Sequence, residues 1–138
     1  MAILGFGYKK IDFERKGPMK GGAQINHNAN ITDVQSATIK QGSASRDAAR
    51  ITFEFTANYE PEIASLKFEG ELLWVDKPEQ VKEALDGWTK DKKLSKEAMV
   101  PVYNTIFRRS LTQALIWTND LNLPAPIRFP KVTAENAK

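Results

Sequence analysis

Residues 50–75, RITFEFTANYEPEIASLKFEGELLWV, alternate apolar and polar side chains along two arms. Ile51, Phe53, Phe55, Ala57 and Tyr59 occupy every second position of the first arm, with Thr52, Glu54 and Thr56 between them. Ala64, Leu66, Phe68, Leu72 and Trp74 do the same along the second, with Lys67, Glu69 and Glu71 in the gaps. A repeat of two is that of a β-strand, whose successive side chains point to opposite faces. Residues 58–62, with Pro61 near their end, carry turn chemistry, so the arms form a long antiparallel hairpin. Such a hairpin does not stand alone in water: its apolar face has to be covered by further strands, a helix or a second molecule.

The flanking sequence supplies that cover. Residues 5–14 alternate with Phe6, Tyr8, Lys10 and Asp12 on one side and Gly7, Lys9, Ile11 and Phe13 on the other, which predicts a strand. RKGPMKGG at 15–22 breaks it, because Gly17-Pro18 and Gly21-Gly22 are strong loop signals. Residues 23–34 alternate more weakly, with Ala23, Ile25, His27, Ala29 and Ile31 separated by Asn and Gln. That suits a strand with a polar outer face or an exposed edge, prolonged by 37–39. QGSAS at 41–45 predicts a turn or loop within 35–49, ahead of the hairpin. The first half is therefore four antiparallel strands in meander order.

After Trp74 the character changes. Pro78 at a first helical position, followed by Glu79, predicts a short crossover helix over 79–88, and TKDKK at 89–93 is a charged linker. Ser95 is a suitable N-cap, with Glu97 in the first turn where the helix dipole favours negative charge. Met99, Val102, Tyr103, Ile106, Phe107, Ser110, Ala114, Trp117 and Leu121 then recur at three and four, giving an amphipathic helix of about 27 residues spanning roughly 40 Å. Pro101 lies inside it, lacks a backbone donor and clashes with the carbonyl of Glu97, so a kink in a continuous helix is expected. A second apolar row, Leu111, Leu115 and Ile116, asks for a second partner. LNLPAPIRFPKV at 121–132 holds Pro124, Pro126 and Pro130 and is expected to be extended, with 133–138 a polar tail.

With 138 residues the chain is expected to form one domain over 1–138. The 20 Lys and Arg against 17 Asp and Glu leave +3, scattered rather than clustered, so no nucleic-acid partner is expected. Absence of cysteine excludes disulfides, thiolate zinc sites and Cys nucleophiles. MAILGFGYKK is too short an apolar run for a signal peptide, and no stretch approaches the roughly 20 apolar residues of a membrane span. A cytoplasmic protein without membrane insertion is the expectation.

Nothing in the pattern points to an enzyme, a metal or a cofactor. His27, the single histidine, sits between Asn26 and Asn28 with no second His, Cys or adjacent carboxylate to make a metal shell or triad, and reads as a polar strand residue. Gly5-Phe6-Gly7 and the glycines of 17–22 lack the spacing and the strand-to-helix setting of a phosphate loop. Glu54, Glu60, Glu62, Glu69 and Glu71 belong to the hairpin's polar face, where acid–base chemistry would require a pocket.

What remains is a surplus of apolar side chains, Trp74, Trp88, Trp117, Phe107, Leu73 and the LPAPIRFP segment, which one sheet and two helices do not obviously cover. Such surface is buried between subunits or kept free to bind apolar segments of other proteins.

LSKEAMVPVYNTIFRRSLTQAL at 94–115, followed by LNLPAPIRFPKV, resembles the helix and Leu-x-Leu-Pro-x-Pro tail of the archaeal SecB-like branch of the SecB family of protein-export chaperones. YEPEIASLKFEGELLW at 59–74 resembles its hairpin, and the succession of four strands, crossover segment and long helix is similar too. The resemblance implies a homotetramer assembled as a dimer of dimers, with sheets edge to edge within a dimer and long helices where the dimers meet. It also implies an ATP-independent holdase that keeps non-native polypeptides unfolded. Bacterial SecB is strongly acidic, engages the SecA motor through acidic residues of its sheet, and continues into a second helix. This chain carries +3 and ends at Lys138, so a SecA partnership is not carried over, and a role outside export, including chaperoning an antitoxin, stays open.

The combined expectation is an α+β subunit, a four-stranded antiparallel sheet with a long helix and a short crossover helix, binding unfolded polypeptide clients. The client groove is expected between the long helix and the crossover segment, lined by Leu73, Trp88, Val102, Ile106 and Phe107. The alternative is a structural or adaptor protein whose apolar surface is buried in a stable homo- or hetero-complex.

Overall fold

The computed structural model describes residues 2–18 and 24–127. Four strands, β1 (Ala2–Arg15), β2 (Gln24–Gln41), β3 (Ala44–Glu60) and β4 (Ala64–Val75), precede two helices, α1 (Pro78–Asp91) and α2 (Lys96–Asp120). The sequence alternation translates directly into burial. β3 and β4 pair from Ala49 opposite Trp74 to Tyr59 opposite Ala64. Ile51, Phe53, Phe55, Leu66, Phe68, Leu72 and Trp74 all lie on the inner face with no more than 1% of their surface exposed.

All four strands form one antiparallel sheet, but its order is β1-β4-β3-β2 rather than the meander expected from chain order. β2, β3 and β4 do follow one another; β1 lies at the far edge, beside β4. The chain leaving β1 is tied to the tip of the central hairpin, where the amides of Lys16 and Gly17 donate to the carbonyl of Ile63 at 2.7 and 3.2 Å. In this position β1 brings Ile3, Phe6, Tyr8 and Phe13 against the core. A Gly/Pro-rich loop serves a hairpin or a crossing equally well, so only long-range burial decides between them.

The strand prolongation expected at 37–39 and the turn expected within 41–45 are both present, and the turn is tight: Gln41 pairs with Ala44, and the two-residue connection Gly42-Ser43 has Gly42 at φ 63°. A glycine with positive φ at the first central position fits a type II′ hairpin turn, whose twist matches its strands. The flanking residues are mostly exposed on both faces and so give no alternating signal. In β1, register shifts between Leu4 and Gly7 and between Tyr8 and Lys10 insert extra residues. Ile11 and Phe13 therefore face Phe68 and Leu66, on the same side as Tyr8, rather than the opposite side. A one-residue bulge reverses every side chain beyond it.

α1 starts with Pro78 at its first position and Glu79 in its first turn, as the spacing predicts. It continues past residue 88 through Asp91, with the Thr89 hydroxyl donating to the Leu85 carbonyl at 3.0 Å, and ends on Lys92 in the left-handed region at φ 56°. Residues 89–91 are thus helix rather than linker. α2 begins after Ser95, whose carbonyl accepts from Ala98 and Met99 while its side chain makes no capping bond. The helix passes through Pro101 without interruption.

The buried row of α2 is Ala98, Val102, Ile106, Ser110, Ala114 and Thr118, a strict spacing of four. Since a helical turn takes 3.6 residues, each step carries the row roughly 40° around the axis, and the whole row turns through roughly 200°. Beyond α2, the Tyr59 hydroxyl donates to the Pro124 carbonyl, Arg15 Nη1 donates to the Leu121 carbonyl at 2.7 Å, and Leu123 is 7% exposed. These contacts fold residues 121–127 back over the end of the sheet. The loop residues 19–23, the rest of the proline-rich segment and the polar tail lie outside the described residues.

Candidate functional site

The inner face of the sheet and the underside of α2 share a continuous aromatic seam. Phe6 stacks on Phe53 at 5.1 Å, Tyr8 tilts against Phe68 at 5.4 Å, Phe55 stacks on Phe68 at 5.7 Å, and Trp117 meets Phe68 edge-on at 5.3 Å. Offset and edge-on pairs at these separations add to the stability from burial itself. On the β1 side, the Tyr8 hydroxyl and Ser110 Oγ lie 3.2 Å apart, and the Arg109 guanidinium sits 4.6 Å from the centre of the Phe6 ring. Burial raises the Tyr8 hydroxyl above the ordinary tyrosine range, with the Ser110 bond and the charge of Arg109 pulling the other way.

At the β2 edge the seam reaches the surface. His27 stacks over Phe55 at 6.4 Å and meets Phe107 edge-on at 6.0 Å, while Phe107 also meets Phe55 edge-on at 6.2 Å. Phe107 belongs to a second row with a spacing of four, Met99, Tyr103, Phe107, Leu111 and Leu115, one residue behind the buried row. Met99 is 38% exposed, and the others are half-buried. A helix whose buried row is flanked by a second apolar row presents a partly covered greasy strip beside the sheet.

The five residues expected to line a groove are separated by the fold. Val102 and Ile106 are fully buried in the core, beneath the surface. Phe107 and Trp88 are half-buried at its margin, Trp88 with Lys92 Nζ 5.6 Å above its ring. Leu73 lies on the opposite face of the sheet, because it is odd in a strand whose even residues face the core; its neighbours are Leu4 and Gly5 of β1. Leu73 therefore cannot share a groove with the other four. His27 was missed as a surface neighbour of Phe107, since only the strand register brings it there. Tyr103 and Leu111 were legible from their four-residue spacing to Phe107.

Three of the hairpin's outer carboxylates are ion-paired, and two of them, Glu54 and Glu69, line a cavity of ≈ 320 Å³ on the outer face together with Lys9, Thr32 and Thr52. Glu54 and Glu69 face each other across the ladder and share Lys67 at 3.8 and 3.4 Å, and Glu71 meets Lys9 at 3.0 Å. Among the described residues no cluster of His, Cys, Asp and Glu could hold a metal ion, and no helix is long and apolar enough to cross a membrane. A cavity of ≈ 520 Å³ between α1 and the β2–β3 hairpin is lined by Ser36, Asp47, Val81, Lys82 and Leu85 among others, and another of ≈ 430 Å³ lies between the end of α2 and Leu123.

No protein-family model matches this chain, and no curated protein matches it in sequence. Its fold is similar to the solved structure of a SecB-like chaperone from Mycobacterium tuberculosis in complex with a ChAD peptide from the HigA1 antitoxin. The two superpose with a TM-score of 0.54 at 13% identity, covering 96% of this chain and 90% of the other. The likeness is one of fold: a four-stranded antiparallel sheet with helices, shared over nearly the whole length.

Proposed function

We propose that this chain is a SecB-like holdase, which captures unfolded or non-native polypeptides by contact with apolar surface and without ATP. The observation that carries the reading is the half-exposed row of α2 at Phe107, in a fold shared with a chaperone solved in complex with a peptide. An extended client gains about 25 cal/mol for each Å² of apolar area it buries and loses chain entropy, so capture is moderate in strength, tolerant of sequence and favours long clients. The proposed assembly is a homotetramer in the cytoplasm, built as a dimer of dimers. Its clients are those of export, of an antitoxin or of general proteostasis.

The exposure of Met99 at 38%, Val100 at 57% and Ile116 at 54% also favours a second reading, an adaptor whose helix is buried in a stable complex. Light scattering of aggregating, chemically unfolded clients separates the two. The wild-type protein at several-fold excess is expected to slow aggregation, and Phe107→Asp to weaken that effect while leaving the mass of the assembly unchanged. Failure with every client tried would replace the holdase by the adaptor. Ile106→Asp is no substitute for this test, because a charge at a fully buried position unfolds the subunit.

A further inference from the structure

Where the aromatic seam reaches the surface it does so beside an imidazole, that of His27, the single histidine of the chain. His27 is exposed. Its ring lies 20° from parallel to that of Phe55 at 6.4 Å and meets Phe107 edge-on at 6.0 Å. The groups around it carry almost no charge. Residues 24–31 of its own strand hold no Asp, Glu, Lys or Arg, and its neighbours on the same face are Ile25 and Ala29. From β3 come Phe55, Ala57 and Tyr59, of which only Tyr59 titrates, and that hydroxyl donates to the Pro124 carbonyl. From α2 comes Phe107, with Tyr103 one turn before it and the exposed Arg108 next to it in the chain. No ion pair between described residues includes His27.

We infer that His27 sets the pH range over which the Phe107 strip captures clients: capture proceeds while the imidazole is neutral and weakens when it takes a proton. The inference rests on the holdase reading and names a control built into that same surface. Histidine is the side chain whose charge ordinarily changes between about pH 5 and 8. In the free protein an imidazolium at this exposed position keeps its water. A client segment laid on Phe107 covers the neighbouring imidazole as well, because the two rings are 6.0 Å apart and both reach the surface. The water is then lost, and no carboxylate stands among the facing groups to replace it. Arg108, bearing the same sign of charge, acts in the same direction. A neutral imidazole is covered at little cost, since it presents an apolar body with a polar tip. Client and proton therefore compete, and each lowers the affinity of the other by the same factor. Capture is complete above this range of pH and is lost as pH falls through it.

Fluorescence anisotropy of a labelled, reduced and alkylated polypeptide that stays unfolded tests this, with the untagged full chain at about pH 7.5 and about pH 5.5. His27→Phe keeps an aromatic ring that cannot be charged. Measured beside the wild type at each pH, it cancels the titration of the polypeptide and of every other group. Relative to His27→Phe, the wild type should lose roughly fivefold or more in affinity between the two conditions. His27→Lys, charged throughout, should bind weakly in both. An unchanged ratio, with capture by wild type and His27→Phe alike, would overturn the inference and leave the holdase intact. Absence of capture by the wild type at the higher pH would overturn both. A second measurement needs no variant, because a single histidine gives a single imidazole Cε1–H resonance. With the polypeptide bound, that resonance should keep its neutral position to a pH lower by roughly one unit or more than in the free protein. Coincident titrations, bound and free, would show that clients leave His27 uncovered and would sink the proposal.

Discussion

Gly7 and Gly70 meet back to back across the β1–β4 ladder: a Cβ on Gly70 would fall on the carbonyl oxygen of Gly7, and it would lie 2.9 Å from Phe53 Cζ. The contact exists because the bulge in β1 pushes its backbone towards β4 at this point. Gly70→Ala should cost about 1–3 kcal/mol through overpacking, lowering Tm by roughly 3–12 °C for a chain of this size. Gly7→Ala is the control, since a Cβ there meets nothing within 4 Å and Tm should hold. Equal melting of Gly70→Ala and wild type would show that β1 does not press on β4 as described.

Tyr8 and Ser110 couple β1 to α2 through one hydrogen bond, and Ser110 is fully buried. Tyr8→Phe and Ser110→Ala should each cost about 1 kcal/mol, and the double variant less than their sum by roughly 0.5–1 kcal/mol. Denaturant titration of the four proteins gives the coupling. Strict additivity would mean that the hydroxyls are satisfied independently.

Tyr59 gives the protein an alkaline limit. Burial pushes its hydroxyl up to about 12, with the Thr118 hydroxyl pulling a little the other way. The folded state therefore holds this proton more tightly than the unfolded chain, where tyrosine titrates near 10. Stability from this group is complete below about pH 10 and is lost as pH rises towards about 12, by at most roughly 2–3 kcal/mol. Tyr59→Phe should be less stable at neutral pH, having lost its bond to Pro124, and should fall less steeply between pH 9 and 11. An unchanged alkaline slope in that variant would assign the limit to another group, such as Tyr8.

Pro101 interrupts the hydrogen-bond ladder of a helix that is otherwise continuous. Pro101→Ala restores an amide for the Glu97 carbonyl and should hold or raise Tm, by up to about 3 kcal/mol of stability. A marked fall would show that packing of the half-buried proline or the bend itself is required.

The hairpin and α2 were legible because each carries its own burial period over ten or more residues, and α1 because Pro78 and Glu79 mark its start. Alternation from Ile51 to Tyr59 and the three-and-four spacing from Val102 to Trp117 reflect faces that pack on the core. The partner of β1 was not legible, since Phe6 and Tyr8 look the same whether β2 or β4 lies beside them. The bulge near Lys9 was hidden for a related reason: an inserted residue leaves composition intact and changes only which face Ile11 and Phe13 occupy. The strand residues on either side of the 42–43 turn were only partly legible, because a stretch mostly exposed on both faces has little apolar period to show. Leu73 failed as a groove residue on parity alone, one step away from Leu72, which is fully buried.

The winding of the buried row around α2 governs how the helix can move. A helix packed along one straight stripe can roll about its axis, exchanging one flank for the other at modest cost. Here Ala98 and Thr118 face directions roughly 200° apart, so a roll that seats one end more deeply lifts the other out. Rotation is therefore locked while the ends are held, and release requires the whole rod to detach from the sheet. Hydrogen exchange should find the amides of both halves opening as one cooperative unit, rather than fraying progressively from Lys96 or from Asp120.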